Sequence, residues 1–301
     1  DEYGADTSRF FLFASVEPWQ DFDWRSNEVE KYRNKLESFY DRTLEMYGSG
    51  EDRKLNNMDL YVLSRLQGII EESTEGLEEF QTRKAGLSGF FELNSLINSY
   101  RNRVDTLSSE VVEQVIETQI KLMAPFTPHI CEELWEKTGH EGLVSEEGWP
   151  QVDKDLRDEE VEMAQGFVEQ VVEDVRELSE IVGDYSEIKL IVSEDWKREL
   201  FEEMSEVIEE RPEFGEAMGR LVSGRKQHAD TVKSMLQEYM EDPGDMPDTV
   251  FETEREVEII EENRGFIEEE FDAELEIELE EESENEKASR AEPGRPAIVM
   301  G

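Results

Sequence analysis

KLMAPFTPHICEELWE, residues Lys121 to Glu136, stops one helix and starts the next. Pro125 ends the first, because its ring removes an amide donor and clashes with the preceding turn. Thr127 then stands where a helix cap belongs. Pro128 follows at the first helical position, where a missing N–H costs nothing. Ile130 and Leu134, like Cys131 and Trp135, are spaced i, i+4, so both pairs face a core. Phe126 lies between the two helices, and His129 in the first turn reads as a packing or capping residue.

Upstream, the apolar spacing continues at helical period. Ser109 starts a helix with Val111, Val112, Val115, Ile116, Gln119, Leu122 and Met123 on one face. Another runs from Thr82 through Arg103 with Phe90, Phe91, Leu93, Asn94, Ile97 and Tyr100. A third, capped by Asp59, carries Val62, Leu63, Leu66, Ile69, Ile70, Leu77 and Phe80. Ser26 is expected to cap the first long helix, with Val29, Tyr32, Leu36, Phe39 and Thr43 inward. Before it, residues 1–25 hold a short helical pattern and an aromatic, acidic loop from Glu17 to Trp24. Long helices with short connections make an antiparallel bundle, and Gly139 closes its last member.

Beyond a linker at 139–153 with Trp149 and Pro150, residues 155–182 carry a heptad-like stripe from Val161 to Val182. The period then changes. Ile188, Leu190 and Val192 alternate as in a strand, helix follows from Asp195 to Tyr239 with breaks near Pro212 and Gly224, and 242–247 is rich in turn residues. Strands are expected at 254–260 and 274–280 flanking a helix at 263–270, with 281–301 as a polar tail ending in a short apolar run. The expected fold is mainly α: residues 1–25 end a stem-contact region, 26–150 form a helical bundle, 151–186 a long linking helix, and 187–301 a small α/β domain.

Acidic residues number 78 against 31 basic, a formal net charge of -47. The acids fall between regularly spaced apolar residues, so the charge belongs to a folded surface rather than to a disordered chain. Such a surface repels itself in dilute buffer and is relieved in molar salt, where the Debye length is about 3 Å. Abundant Glu with sparse Lys fits a salt-adapted protein. A single Cys131 excludes an internal disulfide framework and suits a reducing, cytoplasmic setting. No apolar run reaches membrane-spanning length. Gly-rich phosphate loops and Gly-x-Ser-x-Gly turns are absent, and His129, His140 and His228 are scattered, so neither a nucleophile nor a metal set can be argued. Carboxylate pairs are too numerous to inform.

The Lys121–Glu136 segment resembles the helix junction of the anticodon-binding bundle in class I aminoacyl-tRNA synthetases of the leucyl, isoleucyl, valyl and methionyl group. Supporting pieces follow the order of that family. DEYGADTSRFFLF (Asp1 to Phe13) is similar to the stem helix, LYVLSRL (Leu60 to Leu66) to the second bundle helix, and FQTRKA (Phe80 to Ala85) with Tyr100-Arg101 to the third. Trp149-Pro150 resembles the exit from the bundle. QDFDWR (Gln20 to Arg25), Asp195-Trp196-Lys197 and the terminal PGRPAI (Pro293 to Ile298) resemble the archaeal and eukaryotic leucyl branch. In this reading Pro125, Phe126, Pro128, His129 and Trp135 are structural motif positions.

The resemblance implies a tRNA-binding module for leucine tRNA. Its C-terminal domain would reach the long variable arm. Catalytic and editing domains would lie upstream, with ATP and Mg2+ used there and no cofactor here. The HIGH and KMSKS motifs of ATP handling are missing, so this chain alone is expected to be inactive. It opens at Asp1 without an initiator Met and is expected to be the C-terminal portion of a longer enzyme. An isoleucyl or valyl relative, a separately encoded tRNA-binding subunit and a non-catalytic protein-binding scaffold are the alternatives. Neither DNA nor a membrane is an expected partner. An acidic chain holding RNA needs local cations, and the candidates are Arg83 with Lys84, Arg101 with Arg103, Arg225 with Lys226 and His228, and Lys287 with Arg290 and Arg295.

Overall fold

Helical period dominates the architecture. The computed structural model describes residues 3–210, 212–247 and 250–301 and divides into two units, up to Glu162 and from Met163. The first holds α1 (Ala5–Ser15), α2 (Ser26–Met46), α3 (Asn57–Glu78), α4 (Thr82–Gly86), α5 (Leu93–Arg103), α6 (Ser109–Met123) and α7 (Pro128–Lys137). Their apolar stripes share one core, in which Phe10, Leu36, Phe39, Leu66, Phe90, Ile97, Ile116 and Leu134 are buried.

The helix ends differ from the sequence expectation. Ser26 does not cap α2; Arg25 occupies that place without a side-chain bond. Asn56 caps α3, and Asp59 closes the capping box from the third helical position. Thr127 is the cap residue of α7, but its hydroxyl faces Met123 O at 3.3 Å. Asp6 of α1 accepts the Ile130 amide instead, at 2.7 Å. Arg9 of the same helix donates to Pro125 O at 2.8 Å, so α1 fastens the Pro125–Pro128 junction. Phe80 lies outside the α3 stripe. It follows the helix end at φ 58, where Gln81 N bonds Gly76 O (2.7 Å) and Phe80 N bonds Leu77 O (3.2 Å), and its ring is 76 % exposed. The helix expected from Thr82 to Arg103 is interrupted by a π turn at Leu87–Glu92. The extra residue rotates the inward face, so that Ala85 before the turn, Phe90 within it and Leu93, Ile97 and Tyr100 after it all face the core.

Segment 149–162 folds back on α3. Trp149 Nε1 donates to Thr74 Oγ1 at 2.9 Å, Asp153 N to Gln67 Oε1 at 2.9 Å, and Arg157 pairs with Glu71 at 2.5 Å.

The second unit is built on α8 (Glu159–Val182), whose first turn belongs to the preceding unit. Then come β1 (Glu187–Val192), α9 (Asp195–Glu209), α10 (Phe214–Leu221), α11 (Ala229–Glu241), α12 (Thr253–Glu262), α13 (Arg264–Phe271), β2 (Glu274–Leu279) and β3 (Ala297–Met300). The sheet order is β2-β1-β3, with β1 parallel to β2 and antiparallel to β3. Val168, Val171 and Val175 of α8 pack with Ile188, Leu190, Ile259 and Ile267. A separate cluster joins Leu200, Met204, Leu221, Leu236 and Tyr239 of α9–α11.

Two segments of the second unit depart from the pattern expected of their sequence. Residues 254–260 form helix α12, not a strand: Glu256, Ile259 and Ile260 share its buried face at helical spacing. The charge of Glu256 on that face disguised the period. Residues 281–301 are not a tail, since their end supplies strand β3. Lys189 on β1 ion-pairs with Glu276 (2.9 Å) and with Glu278, tying down the acidic outer side of β2.

Candidate nucleic-acid interface

In the first unit, α2 meets the run from α4 to α5 through aromatic contacts. Tyr32 stands 6.2 Å from Phe91, and Phe39 stands 5.9 Å from Phe90. Cations collect along this seam. Lys35 Nζ sits 4.6 Å from the Phe91 ring centre and has no ion pair among the described residues. Arg42 follows it by seven positions on α2, about 10 Å along the axis. Its guanidinium donates to the neutral Gln119 Oε1 at 2.7 Å, and Gln119 in turn donates to Asn94 Oδ1 at 2.8 Å. Nε of Arg42 has no partner. Burial lowers this guanidinium to about 10, with the nearby Arg101 charge adding to the effect. An arginine left without a carboxylate is unusual in a chain carrying 78 acids, and it gains from any anion that reaches it.

Arg83 and Arg101 stand at the two ends of the α4–α5 run. Arg83 is exposed and makes no ion pair among the described residues. Its charge works against the rise that burial causes in the Tyr32 phenol. Arg101 pairs with Glu45 of α2 at 3.1 Å. Both partners are exposed, so the pair contributes about 1 kcal/mol at most and can open to a phosphate. Lys84 is held by Glu75 at 3.3 Å, while the amides of Arg83 and Lys84 donate to the Glu17 carboxylate at 3.3 and 3.2 Å. Arg103 is half-buried and engaged. Lys35 and Arg42 escaped the sequence reading because Glu37, Asp41 and Glu45 surround them along the chain. Only their i, i+7 spacing, facing Phe91 and Asn94, sets them apart.

In the second unit Arg225 is neutralised by both oxygens of Glu203, at 2.7 and 2.8 Å. His228 stacks on Trp196 at 3.9 Å and 22°, a packing role, while Lys226 is exposed without an ion pair among the described residues. Arg290 is exposed, Arg295 half-buried, and neither has an ion pair among the described residues. Lys287 donates to Ile298 O at 3.3 Å.

Of the motif positions, Phe126 and Trp135 are packed, whereas His129 is not in the packing or capping role expected of it. Phe126 is buried with its ring 6.2 Å from Phe10. Trp135 stacks on His140 at 3.7 Å with Lys121 Nζ 5.1 Å from its ring centre. His129 is exposed on the first turn of α7. A cavity of about 730 Å³ in the second unit is rimmed by nine carboxylates, including Glu194, Asp195, Glu258 and Glu280, and so repels phosphate. On the first unit Leu12, Phe13, Trp19, Phe22 and Trp24 are exposed, an apolar and aromatic surface.

Residues 59–210 match a family described as the anticodon-binding domain of tRNA ligase. The chain is similar to the leucine–tRNA ligase of Pyrococcus abyssi, with 33 % identity over 312 residues, covering 100 % of this chain and 31 % of that protein. The leucine–tRNA ligase of Archaeoglobus fulgidus is 33 % identical over 301 residues, with 99 % and 31 % covered. That of Methanococcus maripaludis is 32 % identical over 302 residues, with 100 % and 31 % covered. The chain thus spans about a third of the length of these relatives. Among solved structures, a ternary complex of an Agrobacterium radiobacter LeuRS with tRNA and LeuAMS aligns with a TM-score of 0.46 at 20 % identity, covering 64 % of this chain and 22 % of that one.

Proposed function

The chain belongs to the anticodon-binding domain family of tRNA ligases, and from that membership we propose that it is the part of a leucine–tRNA ligase that holds leucine tRNA. The seam observation carries this reading: Lys35, Arg42, Arg83 and Arg101 lie on one face of the bundle, and three of the four have no ion pair among the described residues. Archaeal leucine–tRNA ligases matching the chain from end to end favour leucine over isoleucine or valine as the cognate amino acid. The contribution is positional. Adenylate formation, with its ATP and Mg2+, and editing belong to domains outside this sequence, and the bundle turns an encounter with tRNA into a directed one.

The exposed Leu12–Trp24 surface is where those domains dock, in the same polypeptide or as a separate chain. The net charge of -47 supports, as part of the same proposal, a salt-rich cytoplasmic setting. At molar salt counterion release contributes little, so hydrogen bonds from Arg, stacking and shape hold the RNA. The test is competition binding by the 301-residue chain at molar salt. Leucine tRNA is expected to displace a labelled leucine tRNA at concentrations well below those needed of isoleucine or valine tRNA. Equal competition by all three would remove the leucine assignment.

A further inference from the structure

In a parallel strand pair the amide and carbonyl of one residue point to the same side, and successive residues alternate sides. Glu274 N bonds Ser186 O at 3.0 Å and Glu280 N bonds Val192 O at 2.9 Å, so the even-numbered residues of β2 face β1. Leu275, Ile277 and Leu279 therefore face away from it, along an outer edge of the sheet. The start of that edge is closed by α13: Glu268 Oε1 accepts Leu275 N at 3.0 Å, and Arg264 donates to Leu275 O. The turn after β2 takes Leu279 O, through Glu282 N at 3.0 Å and Ser283 N at 3.1 Å. Ile277 N, Ile277 O and Leu279 N are left with no hydrogen bond among the described residues. The β3 edge is guarded instead. Lys287 donates to Ile298 O at 3.3 Å. The residues leading into β3 are tied down by Lys197, which holds Ala291 O at 2.6 Å, and by Tyr239, which donates its hydroxyl to Glu292. An unguarded edge is a template for another strand.

Ile277 and Leu279 also line the cavity of about 730 Å³, and Val257 of α12 adds to its apolar wall. On its rim Glu254, Glu281 and Glu282 are exposed and have no ion pair among the described residues. We propose that the free half of the β2 edge is a docking site for an extended segment of a partner protein that carries lysine or arginine. The segment pairs with Ile277 and Leu279 as an added strand. Its basic side chains lay their methylene stems on Val257, Ile277 and Leu279 and bring their charge to the rim. The carboxylates exclude RNA from this position, and a second copy of a chain carrying -47 charges is repelled from it. Main-chain bonds and apolar contact persist when salt screens the charges. The inference does not depend on the tRNA-binding reading of the first unit.

The experiment takes the 301-residue chain in molar salt and, as probe, a blocked peptide of about eight residues, the mean length of a short strand or a little more, in which lysine alternates with threonine. Amide hydrogen exchange is followed residue by residue by NMR. At a peptide concentration about nine times its Kd, exchange at the Ile277 and Leu279 amides is expected to slow about tenfold. The Leu275 amide, already held by Glu268, is expected to change much less. Replacing lysine by glutamate in the peptide, or methylating all of its amides, is expected to weaken binding about tenfold or more. Ile277→Pro removes an edge donor without touching the ladder and is expected to weaken binding about tenfold; the exchange measurement on the unaltered chain carries the test if that variant does not fold. Peptide binding that left Ile277 and Leu279 exchanging freely would reduce the site to a charged surface and overturn the proposal, as would equal binding of the glutamate peptide. No binding at about 1 mM lysine peptide would overturn it too. Slowing at the same two amides as protein concentration rises, with no peptide present, would give the edge to a second copy instead.

Discussion

Asp59 is 0 % exposed and is the most heavily used carboxylate in the first unit. It accepts two guanidinium bonds from Arg53 (2.5 and 3.0 Å), the Asn56 amide (2.7 Å) and the Tyr100 hydroxyl, which itself accepts the Ser108 amide at 2.9 Å. Asp59→Asn keeps the shape but leaves Arg53 without its counter-charge. The loss is expected to be about 3 kcal/mol, read as a lower denaturation midpoint of the bundle. In the second unit the buried Glu256 carboxyl is pushed up to about 7, chiefly by burial, while its bonds from Gly294 and Phe251 pull the other way. Below pH 4.5 folded and unfolded states both hold this proton. Between pH 4.5 and about 7 the folded state holds more of it, so the stability this group contributes is lost as pH rises through 7. Glu256→Gln should flatten that slope in molar salt, and a pH series of melting midpoints that keeps its wild-type slope would contradict the assignment. Asp59 was legible in the sequence as a helix-start residue. Its link to Arg53 was not, because nothing local marks that pairing.

At the scale of elements, close backbone approach sets the most sensitive positions. A Cβ at Gly50 would stand 2.5 Å from Ser109 Cα, beside the bridge in which Glu51 N meets Leu107 O at 2.9 Å and Ser109 N meets Glu51 O at 3.0 Å. Gly50→Ala is expected to destabilise the bundle by about 2 kcal/mol, whereas Gly148→Ala, in open space, should be neutral by thermal melting. Helix stripes were legible because 3.6-residue spacing repeats itself, and the Pro125–Pro128 junction was legible because proline acts locally. Caps were less so: Asp6 reaches α7 from 124 positions away, and no neighbour of Thr127 announces it. Residues 254–260 misled because alternating Glu with Val257 and Ile259 imitates a strand when one glutamate is itself buried. The 281–301 segment read as a tail because its anchors, Lys197, Tyr239 and Glu256, lie on three earlier helices.

For the whole molecule, charge governs behaviour. With -47 formal charges, helicity and thermal midpoint are expected to fall near 0.1 M salt and to recover above about 1 M, as the Debye length shortens from about 10 to about 3 Å. Circular dichroism flat across that range would contradict it. The same excess of acid made the cations the useful signal for function, and Arg101 and Arg103 were visible because the helix end there carries little acid. Lys35 and Arg42 became visible only when the fold set them against Phe91 and Asn94. Lysine is sparse enough in this chain for a direct test of the central claim that RNA lies along the α2–α5 seam. Acetylation of the 301-residue chain, read by mass spectrometry with and without leucine tRNA at molar salt, reports each amine separately. Lys35 is expected to be protected severalfold, and Lys137, paired with Glu133 on α7 at 3.9 Å, to remain as reactive as in the free chain. Bound tRNA that left Lys35 fully reactive would contradict the account.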